Sequence, residues 1–499
     1  MKTAPGRPTA LMLTLFCVLA QLSLSQNHAA RIDSFMQRLN HVDAFNGTIL
    51  VAREGTVIYS RAFGYADVEW QTPNTTSTKF RIGSLTKCFT ALLIMQLVEE
   101  GRVRLEGTVS DYLPDYPRTT GERITIHHLL SHRSGIPNYL RDIPDFWSKG
   151  DGSRHTPVNR ERFVDIFSGL DLRFEPGSKF EYCNSGYYLL GLIIEKVTGK
   201  PYEVVLRERI LVPVGMDNTG YPASFRDIIP ERARGHYVTL AGYENAKYDN
   251  PSIFYAAGGM YSTVNDMLLL DRALTSEKLL SDSSKEKMFT LFHHDTRRGG
   301  GYGYGWKIDT VGLDEAMDPL MYVGHAGDAA GFFAWFGRFI EEDLFIVFMT
   351  NTNAIGVATM EDVFQPILRI LYDRPVAPPK ASIARALLPT ILKEGVGAAI
   401  AQYHELRRTE PGKYTFLEGE LNDLGYYLLG SGRPEDAIAV FALNVEIYPD
   451  AYNTYDSLGE AYMVNGDKVL AVKYYKKSLA LNPDNTNARE RLKKLTSPP

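Results

Sequence analysis

Near the end of the chain, Leu424-Gly425, Leu428, Gly432, Ala437, Phe441 and Pro449 recur 34 residues later as Leu458-Gly459, Tyr462, Gly466, Ala471, Tyr475 and Pro483. Seven positions in register over two copies commit this stretch to a repeated unit. Such units bury their apolar faces by stacking, and about three are needed for independent stability. Two copies are too few, so the repeats are expected to lean on Ala381–Arg408, on the preceding domain, or on both.

The period and residue types resemble the tetratricopeptide repeat, a helix pair whose small residues let the helices pack closely. The resemblance covers about Glu418 to Asn485, as copies over 418–451 and 452–485, with Thr486–Leu495 as a capping helix. Upstream, Arg374-Pro375-Val376-Ala377-Pro378-Pro379 reads as a linker over 374–380, followed by a helical region over 381–499.

The length of 499 residues implies more than one core. Apolar and charged shares of 44% and 23% are those of a soluble globular protein. A formal charge of −5, with no run of Lys or Arg, gives no footprint for nucleic acid. Lys2 and Arg7, the apolar stretch Leu11–Ala20 and Ser23-Leu24-Ser25 before Gln26 make residues 1–25 a signal peptide, with an uncleaved anchor as the alternative. Cys17 follows Phe16, where a lipoprotein signal needs a small residue, and no other stretch could span a bilayer. The expected location is secreted or periplasmic. Two cysteines remain, Cys88 and Cys183; buried free thiols are the default, and a bridge is the alternative because both flank candidate motifs.

Within 26–373, Gly47–Arg53 and Thr56–Gly64 alternate around Glu54-Gly55 as a hairpin, and Gly331–Arg338 with Leu344–Met349 forms a second. Helices are expected over Ser84–Glu100, Tyr187–Val197 and about Ala358–Tyr372. The fold class is α/β (α+β): an antiparallel sheet flanked by helices, with a helical insertion, followed by an all-α region.

Three motifs carry chemistry. In Gly83-Ser84-Leu85-Thr86-Lys87, Ser and Lys at i and i+3 share one face near a helix start. A Ser needs a base, and a Lys assists if its surroundings lower its pKa. Ser284-Lys285-Glu286-Lys287 has the same spacing inside what reads as a charged, solvated helix, without function. The second motif is Tyr182-Cys183-Asn184 after a Pro176-Gly177 turn; the copies at Tyr243 and Tyr248 lack that setting. The third is His325-Ala326-Gly327-Asp328, just before the second hairpin. His128 and His132, at i and i+4 on an expected helix, have no following Glu and no third ligand, which argues against zinc. Gly299–Gly305 lacks the setting of a nucleotide loop and reads as a turn at the edge of a site.

In this order, with His128–Pro137, Pro213–Met216, Ala257–Thr263 and Tyr302–Trp306, the motifs resemble the serine β-lactamase and penicillin-binding protein superfamily over about Phe45–Leu371. The likeness is greatest to its class C-like, β-lactamase-related branch of esterases and peptidases. The resemblance implies that Ser84 is the nucleophile and Lys87 its partner. It makes Tyr182 the general base and acid, its phenolate stabilised by Lys87. Asn184, His325 and Gly327 would bind substrate, and the amides of Ser84 and Asp328 would form the oxyanion hole. It implies no metal and no cofactor.

The β-lactamase and transpeptidase enzymes of that superfamily usually carry Lys-Thr-Gly where this chain has His325-Ala326-Gly327, and a His there resembles its esterase and D-amino-acid peptidase members. A His is largely neutral near pH 7 and attracts a substrate carboxylate less than a Lys does. The expected enzyme is thus an exported serine hydrolase of esters or D-amino-acid peptides, acting through an acyl-enzyme, with β-lactams as a sub-case. The alternative is a binding protein that meets a partner through its repeats and carries a degenerate site.

Overall fold

The computed structural model describes residues 26–143, 158–222, 224, 226–295, 300–315, 317–354 and 360–496. The segment read as a signal peptide lies outside the described residues, as do Gly299 and Ala358.

Helix α1 covers residues 26–41. An antiparallel sheet of eight strands follows: β1 (Gly47–Arg53), β2 (Thr56–Phe63), β3 (His293–Asp295), β4 (Gly300–Tyr302), β5 (Lys307–Val311), β6 (Leu320–Ala329), β7 (Phe332–Phe339) and β8 (Leu344–Thr350). Its order is β2-β1-β8-β7-β6-β5-β4-β3. The two expected hairpins are present, and β1 pairs with β8 over its whole length, from Gly47 opposite Thr350 to Arg53 opposite Leu344.

Because side chains alternate across a strand, a strand buried on both faces reads as an unbroken apolar run. On β8, Phe345, Val347 and Met349 enter one core, and Leu344, Ile346 and Phe348 enter another. The second core is closed by Ile32, Phe35 and Met36 of α1 and by Val363, Phe364 and Ile367 of the helix Met360–Leu371. The first, larger core holds α2 (Thr86–Glu99), α3 (Ile126–Leu130) and α4 (Asn184–Thr198), with much of the region between the two hairpins.

The expected helix at Ser84 begins as a 3-10 turn over Gly83–Leu85 before α2 takes over, and Gly101, at φ 68°, lies just beyond its end. His128 and His132 do not share a helix: α3 stops at Leu130, and His132 turns left-handed at φ 57°. Ser284 and Lys285 are buried rather than solvated, with Lys285 Nζ donating to the carbonyls of Leu274 and Ser276. Cys88 and Cys183 are both buried free thiols. Among the described residues no helix is long and apolar enough to cross a membrane.

Residues 374–380 form no regular element. Beyond them come α5 (Ile383–Glu394), α6 (Val396–Thr409), α7 (Glu418–Gly430), α8 (Pro434–Ile447), α9 (Tyr452–Val464), α10 (Lys468–Leu481) and α11 (Thr486–Thr496). The repeat glycines are contact points: a Cβ on Gly425 would lie 2.4 Å from Phe441, and one on Gly459 would lie 3.2 Å from Tyr475. The repeats do lean on α5 and α6, since Leu387, Leu388 and Tyr403 share a core with Leu421, Leu424 and Phe441. This shared core meets the preceding region through Leu240, and α5 is tied to it by the Arg385–Asp43 ion pair of 2.9 Å.

A shared core predicts shared stability. Leu387→Ala and Leu424→Ala should each cost about 3 kcal/mol in one and the same urea transition followed by circular dichroism. Separate transitions for the two variants would mean that α5 is not part of the repeat core.

Candidate functional site

Ser84 stands on the 3-10 turn and keeps partial exposure, while Lys87, one turn on, is fully buried. Lys87 Nζ lies 3.1 Å from Ser84 Oγ, 2.8 Å from Asn184 Oδ1 and 2.7 Å from the Ala257 carbonyl oxygen. Burial brings the Lys87 pKa from lysine's usual 10.5 down to about 7. Two of the three partners are carbonyl oxygens, which only accept. A neutral amine that donates one N–H to each has its lone pair left for the Ser84 hydroxyl.

Tyr182 is brought to the same place. Its phenol is close enough to Ser84 for that hydroxyl to act on it, and Lys87 Nζ lies 4.8 Å from its ring centre. Burial pushes its pKa up despite the Ser84 hydroxyl. Burial thus opposes the expected phenolate in the free protein: of the two groups, the amine is the one that can give up its proton near neutral pH.

The Tyr182 loop is held by the segment after α3. Gly177 N–H donates to the Arg133 carbonyl (2.8 Å), Glu181 N–H to the His132 carbonyl (2.9 Å) and Cys183 N–H to His132 Nδ1 (3.1 Å). Accepting at Nδ1 puts the His132 proton on Nε2. The ring lies 4.3 Å from that of Tyr182 and 4.7 Å from that of Tyr302, measured between centres. Asn138 Nδ2 donates to the Tyr182 carbonyl at 3.3 Å, and its Oδ1 accepts from Asn184 Nδ2 at 3.4 Å.

The third motif lies on β6. His325 Nδ1 is 2.6 Å from the Ala326 carbonyl oxygen, which must accept, so Nε2 accepts from the Tyr302 hydroxyl at 2.9 Å. Burial lowers the His325 pKa to about 3, helped by Lys87, so the imidazole is neutral at physiological pH. Further along β6 the strand presses against the Ser84 turn. A Cβ on Gly327 would lie 1.9 Å from the Ile82 carbonyl oxygen and 2.9 Å from Ser84 N; one on Gly83, at φ 49°, would lie 2.7 Å from Asp328 N. Only glycines allow this approach, and it sets the amides of Ser84 and Asp328 side by side.

All seven residues singled out from the sequence thus converge. Reasoning from sequence passed over Asn138, Tyr302 and the Ala257 carbonyl, and weighed His132 only as a metal ligand. Tyr302 had a signal in its matching block, whereas a backbone carbonyl leaves none. Among the described residues, no group of three or more His, Cys, Asp or Glu could hold a metal ion.

Gly327→Ala should lower kcat/KM for an ester at least about 100-fold, the effect of losing an oxyanion donor. Ester turnover measured beside thermal unfolding checks this; a folded variant within twofold of wild type would mean that the paired amides are not used.

The family model described as Beta-lactamase matches residues 32–362, and that described as Tetratricopeptide repeat matches 452–485. Penicillin-binding protein 4* of Bacillus subtilis (strain 168) is 30% identical over 372 residues, 72% of this chain and 79% of that protein. Esterase EstB of Burkholderia gladioli is 27% identical over 371 residues, 66% of this chain and 92% of that protein. Among solved structures, a D-stereospecific amidohydrolase from Streptomyces sp. is 28% identical with a TM-score of 0.57, covering 68% of this chain and 97% of its own. The chain belongs to the Beta-lactamase family of serine hydrolases and carries a tetratricopeptide repeat at its C-terminal end.

Proposed function

We propose that this protein is an exported serine hydrolase that forms an acyl-enzyme on Ser84 with esters or with amides and peptides of D-amino acids. The observation that carries the reading is the bonding of Lys87, whose two carbonyl partners leave its lone pair for the Ser84 hydroxyl.

The geometry supports the following steps. Neutral Lys87 takes the Ser84 proton as Oγ adds to the carbonyl carbon. Negative charge develops on the carbonyl oxygen, where the amides of Ser84 and Asp328 receive it. Tyr182, beside Ser84 and still protonated, gives its proton to the leaving group and is reprotonated from Lys87. Water then repeats the sequence on the ester of Ser84 and releases the acid.

The substrate class rests on the third motif and on the relatives. A neutral His325, bonded to Tyr302, offers no fixed cation for the carboxylate of a β-lactam. An esterase and a D-stereospecific amidohydrolase are among the similar proteins. Slow nitrocefin turnover beside faster turnover of a short-chain p-nitrophenyl ester is expected. Export rests on the pattern in residues 1–25, and the mature chain would begin at Gln26. A function through the repeats alone is less well supported, because the complete constellation is assembled around Ser84.

Two outcomes test the reading. A fluorophosphonate should label the protein and fail to label Ser84→Ala, whose ester turnover should drop by at least about 1,000-fold; a folded, unlabelled wild type would end the hydrolase assignment. The base also sets a pH limb. Below about pH 7 Lys87 gains a proton and loses its lone pair, so kcat/KM should fall as pH drops through about 7 and level off above it. A limb at or above about pH 10, the ordinary phenol range, would transfer the base role to Tyr182.

A further inference from the structure

A second recess opens beside the Ser84 turn. Its cavity is about 340 Å³, and its wall includes Arg81, Arg232, Arg234 and Lys247, together with Gly259 and Ala330. Among the described residues no carboxylate lines it, in a chain whose formal charge is −5.

The wall adjoins the reacting centre along the chain. Arg81 precedes Ser84 by three residues, Gly259 follows Ala257 by two, and Ala330 follows Asp328 by two. Backbone bonds lock these segments together: Ile82 N–H donates to the Met260 carbonyl at 3.1 Å, and Arg81 pairs with Tyr261 across a short antiparallel ladder.

The charges are only partly answered. Arg81 Nη1 donates to the Asp249 backbone carbonyl at 3.0 Å and its guanidinium lies 5.8 Å from the Phe254 ring centre, but Nη2 is buried without a protein partner. A buried donor left unpaired costs free energy until something polar meets it. From outside the lining, the Asp249 carboxylate acts on Arg81 and Glu69 pairs with Arg234, while Asp227 acts on Tyr261 at the edge. The side chains of Arg232 and Lys247 make no hydrogen bond or ion pair with any described residue. An excess of positive charge remains.

The direction of the substrate follows from β6. The strand runs from His325, whose ring centre is 6.3 Å from that of Tyr182, through Asp328 to Ala329, and Ala330 follows it at the recess. A leaving group that departs on the Tyr182 side puts the acyl half on the Ala330 side. We propose that the recess is an anion subsite of the Ser84 site and takes a carboxylate carried on the acyl half of the substrate. This rests on the reading of Ser84 as nucleophile. The favoured substrates are then esters or amides of acids with a second, free carboxylate.

The test compares mono-p-nitrophenyl glutarate with p-nitrophenyl valerate, which are alike in chain length and differ in the terminal charge. At low ionic strength, kcat/KM should favour the glutarate ester by about tenfold or more, the scale of a hydrogen bond to a charged group. In Arg232→Gln/Lys247→Gln that ratio should fall to within about twofold of unity, and in the wild type it should shrink as salt screens the charges. Inorganic phosphate should compete with the glutarate ester more strongly than with the valerate ester. A wild type that hydrolyses both esters without preference, or a ratio unchanged in the double variant, overturns the subsite and leaves the hydrolase reading standing. Thermal stabilisation by phosphate without any ester preference would mark a site for a free anion and equally overturn it. Failure to hydrolyse either ester would instead contradict the Ser84 reading, and the subsite would fall with it.

Discussion

A fully buried amine on Lys87, met by Ser84 Oγ, Asn184 Oδ1 and the Ala257 carbonyl, is the contact on which the rest of the site depends. A charge in such a place is costly, and the cost is relieved when the group gives up its proton. The three partners come from three parts of the chain: the 3-10 turn, the first residue of α4, and the segment that leads to Met260. Each must arrive within hydrogen-bonding distance for the amine to have its N–H groups satisfied and its lone pair aimed. Much of the larger core can be seen as the frame that brings them there.

The sheet supplies the other fixed distance. Because β8 is buried on both faces and paired on both edges, it holds β7 and through it β6 in register. Gly327 and Gly83 then let β6 touch the Ser84 turn closely enough to place two amides together. Electrostatic stabilisation of this type works because its dipoles are oriented before the reaction starts. Backbone bonds from Gly177, Glu181 and Cys183 to Arg133 and His132 place the phenol of Tyr182, with His132 seated against its ring.

Much of this was legible in the sequence. The alternation around Glu54-Gly55 and the apolar runs before and after Glu341 gave two hairpins, and the 34-residue period gave the helix pairs that end the chain. Ser84, Lys87, Tyr182, Asn184, His325, Gly327 and Asp328 stood out through motifs. Pairing of Gly47 with Thr350 could not be read, since local periodicity says nothing of which strands meet. His132 was misplaced because a left-handed turn after α3 breaks the spacing that would have put it on one face with His128. Tyr302 looked like part of a turn; it lies on a short strand where its hydroxyl reaches His325. Nor does any pattern announce that burial lowers one pKa and raises another, because burial is a property of the packed chain.

A neutral His325–Tyr302 pair in place of a fixed cation changes what the site can attract, and it stands beside the groups proposed to transfer the proton. That transfer requires Lys87 to lose its proton near neutral pH, and this can be observed directly. Following the Lys87 side chain by NMR in protein labelled at the lysine Cε should give a titration midpoint of about 7. A midpoint near lysine's ordinary 10.5 would contradict the account, because the amine would then be charged wherever the enzyme works.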